Sequence, residues 1–233
     1  MTNAFITNVE LIKHHSHKNL VHYKVKYDIE NYSILLFDVL KILLPTHIQQ
    51  SVKKRQAEYL AGRYAAKLTL EVLGVYNFDI KTDALRAPIW PDLILGSITH
   101  THNTAMCIAN MQSDFIGIGV DLEPLIDPQI IANIQNQIIF ANDFFILKQH
   151  PKLQTQKIFT LIYSIKESFF KAAYPSTLHY FDFDAVEISE LNLDNQSFCL
   201  VLKNNLNDIL VKDSVHAGFF NEMEDGVYSI VCL

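Results

Sequence analysis

The sequence predicts an α+β (α/β) protein of two similar lobes, each a small, mostly antiparallel sheet packed on a long helix. Three observations lead there. Each half mixes strand-like runs with a long helix, the polar turn Thr101-His102-Asn103 joins two of the runs, and a junction falls around Gln112 to Ile116. Residues 1–113 are therefore expected as an N-terminal lobe and residues 114–233 as a C-terminal lobe. A ligand is expected in the cleft between them, a common place for one.

Phe5 to Ile12 and Val21 to Ile29 alternate as strands do, and His47 to Leu73 has the period of one long helix that stops at Gly74. Ala57, Leu60, Ala61, Tyr64, Ala65 and Leu68 make its apolar face. After the loop Pro88-Ile89-Trp90-Pro91 come two strand-like runs, Leu93 to Thr99 and Thr104 to Asn110, joined by the turn Thr101-His102-Asn103, which leaves His100 at a strand end. Phe115 to Leu122 reads as a strand closed by Pro124 and Pro128. Helical patterns follow from Gln129 to Lys148 and from Lys152 to Ala173, the second bounded by Pro151 and Pro175. Four strand-like runs complete the chain: Phe183 to Ser189, Phe198 to Leu202, Val215 to Phe220 and Tyr228 to Val231.

At 233 residues, 49% hydrophobic and 19% charged, the chain is long enough to bury a real core. No stretch reaches the ~20 apolar residues of a membrane span, and the start Met1-Thr2-Asn3-Ala4-Phe5 lacks the basic character of a secretory signal, so a cytoplasmic location is expected. Cys107, Cys199 and Cys232 are odd in number, widely spaced and set among apolar residues, which argues for reduced core thiols and against a disulfide framework or a cysteine zinc site. A net charge of −6 gives no general attraction to nucleic acid or to an anionic membrane, so an anionic ligand has to be held by local cations. The histidines His14, His15, His17 and His22 lack the fixed spacing of a zinc site, are expected in a loop, and receive no role.

Four separated segments carry chemistry: Lys53-Lys54-Arg55 through Arg63, Gly96-Ser97-Ile98-Thr99-His100, Gly119-Val120-Asp121-Leu122-Glu123, and Ser164-Ile165-Lys166-Glu167-Ser168-Phe169-Phe170-Lys171. Carboxylates, cations and a histidine in combination suit a divalent metal and a diphosphate ester. On a strand, Asp121 and Glu123 share a face, and Gly117 and Gly119 leave room for close approach. The bland alternative is two solvated carboxylates before a proline turn. Glu167 and Lys171, four apart on a helix, read equally as a surface ion pair, but that helix is apolar around most of its circumference, which turns its few charges toward a cleft. Arg55 and Arg63 are suited to bidentate phosphate contacts or to a solvated basic stripe. His100 offers a hydrogen bond to a phosphate oxygen or a structural one.

These blocks, in this order, resemble the signature segments of the 4′-phosphopantetheinyl transferases of the surfactin-synthetase-activating class, and more closely the enterobactin-synthase-component subgroup. The carrying residues are Lys54-Arg55-Gln56-Ala57-Glu58-Tyr59-Leu60-Ala61-Gly62-Arg63, Pro88-Ile89-Trp90-Pro91, Gly96 to His100, Ile118 to Glu123 and Tyr163 to Lys171. The resemblance implies two lobes in a pseudo-two-fold arrangement with coenzyme A in the cleft, and a monomer. Carried onto this sequence, Asp121, Glu123 and Glu167 bind Mg²⁺. Lys171 and His100, with Thr99 beside them, hold the diphosphate in the C-terminal lobe's site. Arg55 and Arg63 contact the 3′-phosphate and adenine end in the N-terminal lobe. Many members carry a lysine near the Pro88 loop. Here Lys81 and Arg86 stand in a different register, with Arg86 assigned to coenzyme A. Tyr163 replaces a frequent Trp or Phe, and Thr99 a frequent Ser.

The implied reaction is attack by a serine of an apo acyl or peptidyl carrier protein on the β-phosphate of coenzyme A, with Glu167 taking the proton, and with Lys171 and Asp121 in the catalytic set. The carrier is expected to be an acidic helical bundle that docks on the C-terminal lobe with Lys166 as a candidate contact. It belongs to siderophore or other nonribosomal peptide synthesis, with fatty-acid and polyketide carriers left open. Two other readings compete. A metal-dependent phosphohydrolase would use the same carboxylates, release phosphate and need no protein acceptor. A catalytically silent coenzyme A or carrier-protein binding module would not need Asp121, Glu123, Glu167 and Lys171 all present.

Overall fold

The computed structural model describes residues 4–14, 19–111, 115–149 and 155–233, and the chain forms two compact units, Met1–Asp114 and Phe115–Leu233. Helices mixed with antiparallel sheets match the expected α+β class. The junction residues 112–114, the helix start at Lys152 beside Pro151, and His15 and His17 lie outside the described residues. No helix among the described residues is long and apolar enough to cross a membrane.

The first unit contains β1 (Ile6–Ile12), β2 (Val21–Tyr27), α1 (Leu36–Leu40), α2 (Thr46–Gln49), α3 (Lys53–Val72), β3 (Lys81–Thr82), β4 (Pro88–Ile89), β5 (Ile94–His100) and β6 (Thr104–Met111). Its four-stranded sheet has the order β1-β2-β6-β5, antiparallel throughout. Ala57, Leu60, Ala61 and Ala65 of α3 are fully buried, and their small size lets the helix lie close on the sheet, where Ala65 and Ala66 meet Val25, Cys107 and Ala109. The expected single helix from His47 to Leu73 is in fact two. Val52 is extended (φ −68°, ψ 154°), and the Gln56 carboxamide donates to the Gln49 and Ser51 carbonyls at 2.8 and 2.9 Å, satisfying acceptors that a continuous helix would have bonded itself. The stop at Gly74 is as expected. With φ +81°, its N–H bonds the Glu71 carbonyl while the Val75 N–H bonds that of Leu70, the paired bonds of a Schellman cap.

The second unit contains β7 (Ile118–Pro124), α4 (Pro128–Ile138), α5 (Ala141–Gln149), α6 (Thr155–Thr177), β8 (Val186–Asn192), β9 (Ser197–Leu202), β10 (Val215–Glu222) and β11 (Gly226–Cys232). The sheet order is β7-β11-β10-β9-β8, again antiparallel. Two expectations are corrected. The helix expected over Gln129 to Lys148 breaks at Ile139, which is extended, because the Asp143 carboxylate captures the Phe140 N–H at 3.0 Å and starts α5 afresh. Pro175 does not end α6 but sits in its last turn, where it costs only the bond to the Lys171 carbonyl. The helix closes at Leu178, whose φ is +55°.

Helix α6 packs on β7 and β11. A Cβ on Gly117 would stand 1.9 Å from the Ala172 carbonyl oxygen, and one on Gly119 1.8 Å from that of Ser168. The room these glycines leave is therefore taken by the backbone of α6, which brings its Glu167 and Lys171 down beside Asp121 and Glu123.

Candidate active site

In the second unit the seat of the site is the α6–β7 contact. Three buried serines hold it. Ser164 Oγ donates to the Asp121 carbonyl at 3.1 Å, and both Ser164 and Ser168 share a hydrogen bond with Ser229 of β11 at 2.9 Å. The sequence reading assigned these serines nothing, although the spacing of Ser164 and Ser168 puts them on one face of an otherwise apolar helix. On this seat Lys171 Nζ reaches Asp121 Oδ1 at 2.6 Å and the Val120 carbonyl at 3.2 Å. The pair is largely shielded from water, with the Asp121 side chain 4% exposed.

Glu123 and Glu167 complete a group of like charges. Burial, then Asp121, pushes the Glu123 carboxyl up to about 8, with Lys171 opposing and Glu167 adding. Burial, then Asp121, also raises Glu167, again against Lys171. The Tyr163 phenol, one helical turn before Glu167 and tilted on the Phe183 ring at 5.6 Å, is raised by burial and then by Glu167, Glu123 and Asp121. Among the described residues no three His, Cys, Asp or Glu side chains are gathered closely enough to hold a metal ion as they stand. The donor chemistry nevertheless fits a hard divalent cation. It is oxygen only, and three crowded carboxylates with Lys171 beside them gain from added positive charge.

In the first unit, Arg55, Arg63, Arg86 and His100 line one cavity of about 300 Å³, together with Glu58, Tyr59 and Ile98. Arg55 and Arg63 come from α3, His100 from the end of β5, and Arg86 from the turn between β3 and β4. That turn is tied by Asp83 Oδ1, which accepts from the Leu85 and Ala87 N–H groups, and it leaves Arg86 at φ +70°. Arg55 Nη1 donates to His100 Nε2 at 3.0 Å, so the imidazole is neutral in this arrangement with its other nitrogen turned to Glu58, 3.9 Å away. Glu58, one turn from Arg55 and Lys54 on α3, thus links the basic residues. It was visible in the sequence only as an ordinary helix pair. Arg63 lies 4.6 Å over the Tyr59 ring and donates through Nε to the Ile80 carbonyl at 3.0 Å. Burial holds its guanidinium below the usual arginine range against the pull of Tyr59.

Other expectations come out differently. Thr99 alternates to the face of β5 opposite His100 and Ile98, is buried there, and does not line the cavity. Lys166, expected as a carrier contact, is a core residue, 2% exposed. Its ammonium donates to Asp143 Oδ2 at 2.6 Å and to the Ile138 and Phe183 carbonyls at 2.9 and 3.1 Å. His22 is not in a loop but fully buried on β2, its ring stacked on His14 and hydrogen-bonded to it at 3.0 Å; burial, then His14 and Lys24, pushes its pKa down to about 3. The three cysteines are free thiols, with Cys107 in the core and Cys199 and Cys232 half-buried.

Residues 45–110 match the 4′-phosphopantetheinyl transferase N-terminal domain, and residues 117–221 match the 4′-phosphopantetheinyl transferase superfamily. The chain belongs to the 4′-phosphopantetheinyl transferase superfamily. Within it, the chain falls in the enterobactin-synthase-component-like subgroup. It is 34% identical to enterobactin synthase component D of Salmonella typhi over 160 residues, 68% of this chain and 65% of that protein. It is 33% identical to the same-named protein of Escherichia coli (strain K12) over 131 residues, 54% and 58% of the two chains. To the 4′-phosphopantetheinyl transferase Svp of Streptomyces mobaraensis it is 28% identical over 157 residues, 65% and 63%. The chain thus spans between half and two thirds of the length of these curated relatives.

Proposed function

We propose that the chain is a transferase that moves the 4′-phosphopantetheine group of coenzyme A onto a serine of an apo carrier protein, with Mg²⁺, in siderophore or other nonribosomal peptide synthesis in the cytoplasm. The observation that carries the reading is the α6–β7 seat, where Lys171 is paired with Asp121 and the carboxyls of Glu123 and Glu167 are raised beside them. Family membership and relatives named for enterobactin synthesis support it.

In this mechanism the serine Oγ attacks the β-phosphorus of coenzyme A and the bond from that phosphorus to the bridging oxygen breaks, releasing adenosine 3′,5′-bisphosphate. Glu167 takes the serine proton. Lys171 supplies a fixed positive charge to the diphosphate, which costs no reorganisation as charge develops. Held by Asp121, Glu123 and Glu167, Mg²⁺ would neutralise charge on the phosphate oxygens. Arg55, Arg63, Arg86 and His100 are assigned to the 3′-phosphate and adenine end and to the diphosphate of coenzyme A.

The test is intact mass of an apo peptidyl carrier protein incubated with the chain, coenzyme A and Mg²⁺. A gain of one phosphopantetheine on the carrier is expected. Release of phosphate without a carrier would favour the hydrolase reading, and coenzyme A binding with neither product across peptidyl and acyl carriers would favour the silent module. Arg63→Ala should raise KM for coenzyme A by roughly 10- to 100-fold, the worth of a charge-assisted hydrogen bond, with a smaller change in kcat. An equal loss in kcat at unchanged KM would contradict the assignment of Arg63.

A further inference from the structure

Arg63 belongs to the walls of two cavities. The second, about 230 Å³, lies on the same unit and does not include Arg55, Arg86 or His100. Its cations are Lys41, Arg63 and Lys67, and Leu43, Leu70 and Ile80 give it apolar walls. Arg63 is 9% exposed, and among the described residues none of these three cations is in an ion pair with a carboxylate. Lys67 instead donates to the Leu40 carbonyl at 3.0 Å, the residue just before Lys41, whose φ of +54° ends α1 at the cavity. The Arg63 guanidinium rests on the Tyr59 ring and bonds the Ile80 carbonyl through Nε, with no carboxylate of the described residues in ion-pair distance, so a buried charge of this kind gains from an anion that completes it.

We propose that this cavity is a second binding site, for a small carboxylate with an apolar body, held by Lys41, Lys67 and the Arg63 guanidinium, and that its occupant draws Arg63 away from the neighbouring cavity. Glu71 and Asp79 also line it. Three cations against these two carboxylates leave one surplus positive charge, which suits a monoanion better than a phosphate dianion. The volume, below the roughly 300 Å³ of a drug-sized pocket, limits the occupant to a small molecule, and the aliphatic walls favour one with an apolar part. The coupling rests on the reading that the neighbouring cavity takes the 3′-phosphate end of coenzyme A. The carboxylate site itself does not.

Benzoate serves as the probe, titrated into the full chain by calorimetry or by NMR shifts. Saturable one-to-one binding is expected, weakened at least about tenfold by Lys67→Gln, the scale of one charge-assisted contact, and lost in Leu43→Trp, which fills the cavity from its half-exposed rim. Neither residue lines the coenzyme A cavity, so both variants should stay folded, with a single cooperative unfolding transition, and keep wild-type coenzyme A affinity, although Lys67→Gln gives up the bond to the Leu40 carbonyl. Saturating benzoate should weaken coenzyme A binding to the wild type by about fivefold or more, the lower end of ordinary coupling, and should have no effect in Leu43→Trp. Absence of saturable benzoate binding, or binding undiminished in both variants, overturns the site. Benzoate binding that leaves coenzyme A affinity unchanged overturns the coupling. A wild-type chain that binds benzoate but no coenzyme A upholds the site and sinks the functional reading instead.

Discussion

Lys166→Ala is expected to destabilise the second unit by roughly 3–5 kcal/mol, the usual cost of removing one partner from a buried ion pair. The reason lies in how many elements meet at this ammonium. It donates to the last carbonyl of α4 at Ile138, pairs with Asp143 of α5, and reaches the Phe183 carbonyl in the turn before β8, with the Phe140 ring 4.8 Å away. Asp143 is committed in turn to the N–H groups of Phe140 and Ile188. Deleting the cation leaves Asp143 buried and charged with two backbone donors but no counterion, and strands two carbonyls. Lys166→Met fills the volume without restoring any bond, so it should recover only the packing part of the loss. Chemical denaturation would show the transition of either variant moved to lower denaturant. A shift under about 1 kcal/mol, combined with a raised KM for the carrier protein, would return Lys166 to the surface role the sequence reading gave it.

That reversal marks where sequence legibility stopped. The strands were readable because apolar alternation reports a half-buried sheet face directly. Gly74 was readable because a positive-φ cap demands glycine. The helix breaks at residues 50–52 and at Ile139 were not, since apolar period runs straight through both. What breaks the helices there is a side chain capturing nearby backbone: Gln56 on the Gln49 and Ser51 carbonyls, and Asp143 on the Phe140 N–H. Lys166 failed for a related reason. A cation on an apolar helix has to face either a cleft or a buried partner, and the partner stands 23 residues earlier in the chain.

For the candidate site, spacing correctly put Glu167 and Lys171 on one face of a helix, and Asp121 and Glu123 on one strand. It could not show that Gly117 and Gly119 serve the α6 backbone, nor that Lys171 would spend its charge on Asp121. On the first unit the sequence singled out Arg55, Arg63 and His100 and the family resemblance added Arg86, and these four do line one cavity. It passed over Glu58 and Tyr59, whose part appears only when α3 is set against β5 and the Ile80 segment.

Glu167→Gln should lower kcat for carrier modification by about 10²- to 10⁴-fold, the range a positioned proton acceptor contributes. The substitution keeps volume and helix propensity, so the α6–β7 seat should survive, held by Ser164, Ser168 and Ser229 through hydrogen bonds to the Asp121 carbonyl and to one another. It also removes one negative charge from a crowded group in which Glu123 is pushed up to about 8. The apo variant should therefore be as stable as the wild type or slightly more so, because the carboxylates repel one another as they stand. Loss of activity without loss of stability is the signature of a residue kept for chemistry against the interest of the fold. Two roles are assigned to Glu167, and a magnesium titration separates them. If the residue mattered only as a metal ligand, excess Mg²⁺ would restore kcat. If it takes the serine proton, kcat stays low at saturating metal while KM for coenzyme A, set largely by the basic cavity of the first unit, moves little. Activity within tenfold of wild type at saturating Mg²⁺ would remove Glu167 from the proton-transfer role and pass it to another group at the seat.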